Sequence, residues 1–235
     1  MRNVSLSIIA STPAILLLLL CGCGKKEMPV APEPPTPEIA PPIPSTDAVD
    51  IWTRMETLSP DKWSPIEGAQ NIEWDPQSAV MRIDFGTDLN GVRWNGKLPV
   101  TPYTIELEAR RVSGSDFFCG LTFPVRTGSD HVSLILGGWG GSLVGISSID
   151  GMDASENSTG TQYHFEEQRW YRIRVEVRQE HIQAWIDDEQ IVDAHTEEQR
   201  LSLRPGPIED CAPLGIATWN TKAEFRDARW KPLEK

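Results

Sequence analysis

The string best suited to chemistry is Gly137-Gly138-Trp139-Gly140-Gly141. Four glycines admit backbone conformations closed to other residues and leave the indole free of neighbouring side chains. A sugar ring can lay its apolar C–H face on such an indole while exposed backbone N–H groups bond its hydroxyls. The competing role is a glycine-rich bulge whose tryptophan plugs the end of a sandwich. Trp219-Asn220 offers a second stacking ring and an amide, or a packed core tryptophan.

Asp150-Gly151-Met152-Asp153-Ala154-Ser155-Glu156-Asn157 packs three carboxylates and an amide into one loop. Asp150, Asp153 and Glu156 are the carboxylates open to proton-transfer work, and Asn157 is a hydrogen-bonding candidate. Hard oxygen ligands of this sort suit a divalent ion such as calcium, the one cofactor this chemistry admits. Their spacing departs from the EF-hand loop, so no metal ligands are assigned; an acidic loop in an acidic protein is also plain solvated surface. Asp116, heading its strand, reads as a capping or turn residue unless it faces a cleft. His131, His164, His181 and His195 are scattered among polar residues without the i, i+4 spacing of helical metal ligands, and read as surface. The sequence holds no Gly-x-Ser-x-Gly elbow, P-loop or dinucleotide fingerprint, which leaves serine-hydrolase and nucleotide chemistry without support.

Strands must position these residues. In Arg169 to Ala194, Tyr171, Ile173, Val175 and Val177 alternate with Arg172, Arg174, Glu176 and Arg178. Ile182, Ala184 and Ile186 then alternate with Gln183, Trp185 and Asp187. Polar breaks at Gln179-Glu180 and Asp187 to Gln190 predict a three-stranded meander with one buried face. Further strands are expected over 79–85, 91–98, 103–112, 116–125, 131–136, 142–149, 214–219 and 223–230. Turn residues separate them: Pro99 and Pro102, Ser113-Gly114-Ser115, Thr127 to Asp130, and Pro205-Gly206-Pro207. Val49 to Leu58 reads as a short helix or an edge strand. A dozen short strands without a repeat or a long helical period predict an all-β, two-sheet antiparallel jelly-roll sandwich of the concanavalin A-like kind.

The chain divides into residues 1–23, 24–48 and 49–235. The first carries Arg2 and an apolar run ending in Leu16 to Leu20, too short for a comfortable membrane span and of secretory-signal length. It closes on Leu20-Cys21-Gly22-Cys23, which resembles the lipoprotein box of bacteria. Cys23, preceded by a small residue, would receive the lipid and tie the domain to a membrane; Cys21, after bulky Leu20, is the weaker acceptor. Gly24 rather than Asp follows, which by the same resemblance points to the outer membrane, facing the periplasm or the surface. Residues 24–48 are proline-rich, from Pro29 through Pro44, and predict an extended tether reaching roughly 60–70 Å at about 3.1 Å per residue.

Residues 49–235 carry all nine tryptophans and have ample length for one core. The net charge of −12 would repel phosphate backbones, so nucleic acid is excluded as a partner while neutral carbohydrate remains open. Cys119 and Cys211 sit in apolar settings; one disulfide and two separate buried thiols are both compatible with their spacing.

The order of the pieces is similar to a known family. Asp61-Lys62-Trp63 leads to Tyr103-Thr104-Ile105-Glu106-Leu107-Glu108-Ala109 and then Phe118-Cys119-Gly120-Leu121-Thr122-Phe123. Trp170 to Val175, the Trp185-Ile186-Asp187-Asp188 hairpin, Leu214 to Thr218 and Phe225-Arg226-Asp227 follow. This resembles the 3-keto-disaccharide hydrolase domain family, within the group that includes laminin G and glucanase domains. The resemblance implies lyase or hydratase action on 3-keto-glucosides, in which a base removes the acidified C2 proton and the glycosidic substituent leaves. It further implies a base, a leaving-group acid and electrophilic help at the ketone. The chain departs from the family pattern at Pro124, where an Arg is usual, and at His131 to Leu136, where a Glu-x-Gln strand is usual. A non-catalytic laminin G-like module binding glycan or protein is the alternative function.

Overall fold

Alternation governs the chain, and the pleat turns it into two faces. The computed structural model describes residues 52–55 and 60–234. Cys23, the signal segment and the proline-rich tether lie outside the described residues. Asp47–Lys235 forms one compact unit.

The strands in chain order are β1 (Thr53–Arg54), β2 (Trp63–Pro65), β3 (Ile72–Asp75), β4 (Val80–Ile83), β5 (Leu89–Trp94) and β6 (Tyr103–Gly114). Then come β7 (Cys119–Val125), β8 (Asp130–Gly137), β9 (Leu143–Ser147), β10 (Thr161–Gln162), β11 (Tyr171–Arg178), β12 (His181–Ile186), β13 (Glu189–His195), β14 (Gly215–Trp219) and β15 (Thr221–Pro232). One sheet runs β13-β12-β11-β6-β15-β4-β3 with β1 beside β15; the other runs β10-β9-β8-β7-β14-β5-β2. All pairings are antiparallel, as expected of a jelly-roll sandwich. Of Val49 to Leu58, expected as a short helix or an edge strand, Thr53 and Arg54 form a strand paired with Trp230 and Arg229. β2, β3 and β10 were not expected; at two to four residues each they are too short to show a period.

The meander is β11, β12 and β13. Tyr171, Ile173, Val175 and Val177 are buried, as are Ile182, Ala184 and Ile186. Each such aliphatic side chain contributes about 1.5–3 kcal/mol on burial. Opposite them, β7 and β8 place Cys119, Leu121, Phe123, Val132, Leu134 and Leu136 in the same core. Phe118, Phe165, Tyr163 and Tyr171 close one end as an aromatic cluster, with Phe118 edge-on to Phe165 at 4.8 Å between ring centroids. Cys119 and Cys211 are both free buried thiols, in separate apolar clusters. Burial pushes the Cys119 thiol well up and the Cys211 thiol up to about 12.

The solvent face of the β6–β15 pair holds ion pairs in place of the alternating apolar set. Glu224 accepts from Arg82 at 2.8 Å and from Arg110 at 2.7 Å, Arg226 pairs with Glu108 at 2.6 Å, and Arg229 with Glu106 at 2.7 Å. The guanidinium groups of Arg110 and Arg226 both stack on Trp170, 4.7 and 4.2 Å from its ring centroid. The charged face therefore belongs to the sandwich's own stability.

Candidate functional site

The second sheet is covered on both faces: every residue of β7 and of β9 is buried. Leu121, Phe123, Val132, Leu134, Val144 and Ile146 point to the shared core. On the other face register brings together Gly91, Ala217, Gly120, Ile135 and Gly145, one residue from each of β5, β14, β7, β8 and β9. A Cβ at Gly91 would stand 2.6 Å from the Ile216 carbonyl oxygen, and one at Gly145 3.1 Å from Thr159 Oγ1. Other residues cover most of this row: Phe117 would stand 3.1 Å from a Cβ at Gly120, Ala154 and Thr159 lie against Gly145, and Ala217 is buried beside Ile66 and Cys211.

Ile135 is the member of the row that borders a cavity of about 370 Å³, whose other lining residues are Trp139, Trp219, Asp116, Phe117, Leu89, Ser147 and Arg204 to Ile208. The two tryptophans singled out from sequence thus share one space. Trp219 ends β14, held where its backbone N–H donates to the Phe117 carbonyl at 3.0 Å. Trp139 sits on the glycine turn, 44% exposed, with φ 48° and ψ 53°. A left-handed backbone at a bulky residue costs about 1–2 kcal/mol and persists only where neighbours enforce it. Gly137, Gly140 and Gly141 also have positive φ, at 78°, 92° and 105°, so the turn is a left-handed loop and not a helix.

The enforcing neighbour is Arg111. Parity on β6 puts Leu107, Ala109 and Arg111 on the inward face, and Arg111 is 6% exposed. Its Nη2 donates to the carbonyls of Gly141 at 2.9 Å, Asp116 at 3.2 Å and Gly137 at 3.4 Å. The guanidinium also lies 5.3 Å from the Phe118 ring centroid, and burial lowers its pKa against the pull of Glu167 and Asp116. A Cβ at Gly137 would meet Nη2 at 2.3 Å, which together with the positive φ explains glycine there. Sequence reasoning passed Arg111 over, although its place in the Leu107-Ala109-Arg111 alternation was a readable signal.

Asp116 faces the cavity, and its Oδ1 accepts from the Phe117 N–H at 2.7 Å. It is the one carboxylate among the lining residues. Arg204 is the one cation there, carried on the Arg204-Pro205-Gly206 approach to a short 3₁₀ turn at Pro207–Cys211. Of the acidic loop, Asp153 alone is linked to the cavity. It accepts from Ser147 Oγ at 2.9 Å and pairs with Arg204 at 3.3 Å.

The other members of the loop serve its own geometry. Asp150 Oδ1 accepts from the Arg200 N–H at 2.8 Å, and Glu156 from the Asp153 N–H at 3.2 Å. Asn157 is bonded on all sides: its amide donates to the Ile146, Met152 and Asp153 carbonyls, and its oxygen accepts from Thr159 N and Oγ1. The three carboxylates do not converge as a calcium site would require. Asn220 occupies the exposed turn between β14 and β15 at φ 46°, outside the cavity lining.

Comparison with known proteins adds the following. The profile of the 3-keto-alpha-glucoside-1,2-lyase-like domain matches residues 86–231. No curated protein matches the sequence. Among solved structures, Crh5 transglycosylase in complex with NAG is 10% identical at a TM-score of 0.54, covering 78% of this chain and 84% of that one. A protein of Parabacteroides distasonis provisionally named a glycosyl hydrolase is 13% identical at 0.52, covering 78% and 94%. The carbohydrate-binding module CBM66 of Bacillus subtilis is 12% identical at 0.47, covering 72% and 95%. At these identities the likeness is one of fold, and it is the jelly-roll sandwich. With most of the sandwich inside the matched span, the chain belongs to the family of 3-keto-alpha-glucoside-1,2-lyase-like domains.

Proposed function

We propose that the sandwich holds a saccharide in the cavity between Trp139 and Trp219. The observation that carries this is the meeting of two indoles, from the end of β14 and from a strained glycine turn, in one cavity. Indole faces take the C–H face of a pyranose, and Asp116, Ser147 and Arg204 supply the few polar groups that fix its orientation. A volume near 370 Å³ suits one or two sugar rings. Titration calorimetry of the full chain against a disaccharide panel, read beside Trp139→Ala and Trp219→Ala, tests the reading. Affinity unchanged in both variants overturns it.

A second reading, favoured by family membership, is lyase action on a 3-keto-glucoside. Asp116 is the carboxylate in reach of a bound ring, and so the base that would take the C2 proton. Arg204 is the cation that would stabilise the negative charge developing on the ketone oxygen. Incubation with 3-keto-trehalose or 3-keto-sucrose, with and without divalent metal, decides it: turnover lost in Asp116→Asn supports the assignment. Binding of the same sugars without turnover leaves a non-catalytic carbohydrate module.

The lipoprotein box at Cys23 and the proline-rich tether support placement of this domain on the cell envelope, most simply on the outer membrane. Metabolic labelling with palmitate that persists in Cys23→Ser would overturn that placement.

A further inference from the structure

His181 opens β12 and His195 closes β13, and the two are direct cross-strand partners at the open end of the hairpin. Fourteen positions apart in sequence, they stack at 4.3 Å between ring centroids with 8° between planes. Asp193, two residues before His195 and on the same outward face, places Oδ1 2.5 Å from His181 Nε2. One ligand atom from each of the three residues falls within 4.8 Å of the others. Gln183, the cross-strand partner of Asp193, donates to the same carboxylate oxygen at 3.3 Å and so fixes its direction.

We propose that His181, Asp193 and His195 form a binding site for a divalent transition ion, zinc in the first instance. Two imidazoles and one carboxylate are a donor set of the borderline kind that zinc, copper and nickel take over calcium or magnesium. Tetrahedral zinc holds its ligand atoms about 3.3 Å apart, from metal–ligand distances near 2.0–2.1 Å. Closing the outermost pair from 4.8 Å therefore takes about 1.5 Å, within the reach of the ring torsion of exposed His195. β13 is the edge of its sheet, so no further strand blocks the approach. Three protein ligands leave a fourth position for water. The Gln183 amide supplies the outer hydrogen bond that orients the ligating carboxylate. None of these residues lines the saccharide cavity, so the site stands independently of the function proposed above.

Two measurements on the full chain test this. In the first, imidazole resonances are followed by NMR as zinc chloride is added. Selective shifts of the His181 and His195 signals, saturating at one equivalent, are expected. Shifts confined to His131 or His164, or none at all, overturn the proposal. In the second, calorimetric zinc affinity is compared with that of His181→Gln and His195→Gln. Each should weaken binding by about tenfold or more, equivalent to about 1.4 kcal/mol. Unchanged affinity in both variants, with the fold intact by circular dichroism, overturns it equally.

Discussion

Arg111 reaches from β6 across the end of the sandwich and donates to the Gly141 carbonyl at 2.9 Å, holding the turn that carries Trp139. A buried cation with three carbonyl acceptors, set against two aromatic rings, is thus the anchor of the cavity rim. Arg111→Ala should lose about 2–4 kcal/mol from the broken charged hydrogen bonds and the void left behind. Urea denaturation gives the number. Saccharide affinity should fall with it even at low denaturant, because Trp139 loses its support.

Trp139→Gly separates binding from stability. Glycine relieves the left-handed backbone at this position, while the half-buried indole gives up its contacts, and the two effects oppose. Stability should stay within about 1 kcal/mol of the wild type. Affinity for the cavity's ligand should fall about tenfold, the loss of one stacking face. A melting curve paired with a titration distinguishes the two.

Glu224 predicts an acid dependence. Burial alone would raise its carboxyl, but hydrogen bonds from Arg110 and Arg82 hold it below the ordinary 4.5. A carboxylate depressed in the folded state contributes stability that is present above pH 4.5 and lost as pH falls through the folded-state value. Glu224→Gln should therefore cost about 2–3 kcal/mol at pH 7, since two guanidinium groups lose their buried partner. The gap between variant and wild type should narrow steadily below pH 4.5 in denaturation curves taken as a pH series.

Cys119 and Cys211 should be silent toward thiol reagents in the folded protein, being buried with raised pKa values. In non-reducing denaturant both should label within minutes. Mass spectrometry locating the label on each of the two peptides checks this, and a linked peptide pair would contradict it.

The fold was legible because its long strands write their burial in period two. Tyr171 to Val177 and Ile182 to Ile186 announce a half-buried meander, and the order of the remaining strands follows from turn residues. Trp139 and Trp219 were legible as candidates because glycine flanks and a strand end are local features. What binds them into one cavity is register between distant strands, which no local pattern carries. Asn157 shows the converse: its amide looked available, and five hydrogen bonds to four residues of its loop and of β9 occupy it. His181 and His195 read as unrelated surface residues because a helical spacing rule does not apply to a hairpin, where partners lie any distance apart in sequence.

The row of Gly91, Ala217, Gly120, Ile135 and Gly145, which meets the cavity only at Ile135, has a bearing on redesign. At Gly91 a methyl group would strike the Ile216 carbonyl, so the strands themselves accept no added side chain there. The loops that line the cavity are the glycine turn, through Trp139, and Arg204 to Ile208. Redesign of the proposed saccharide site should therefore exchange those two loops as units and leave the strands untouched.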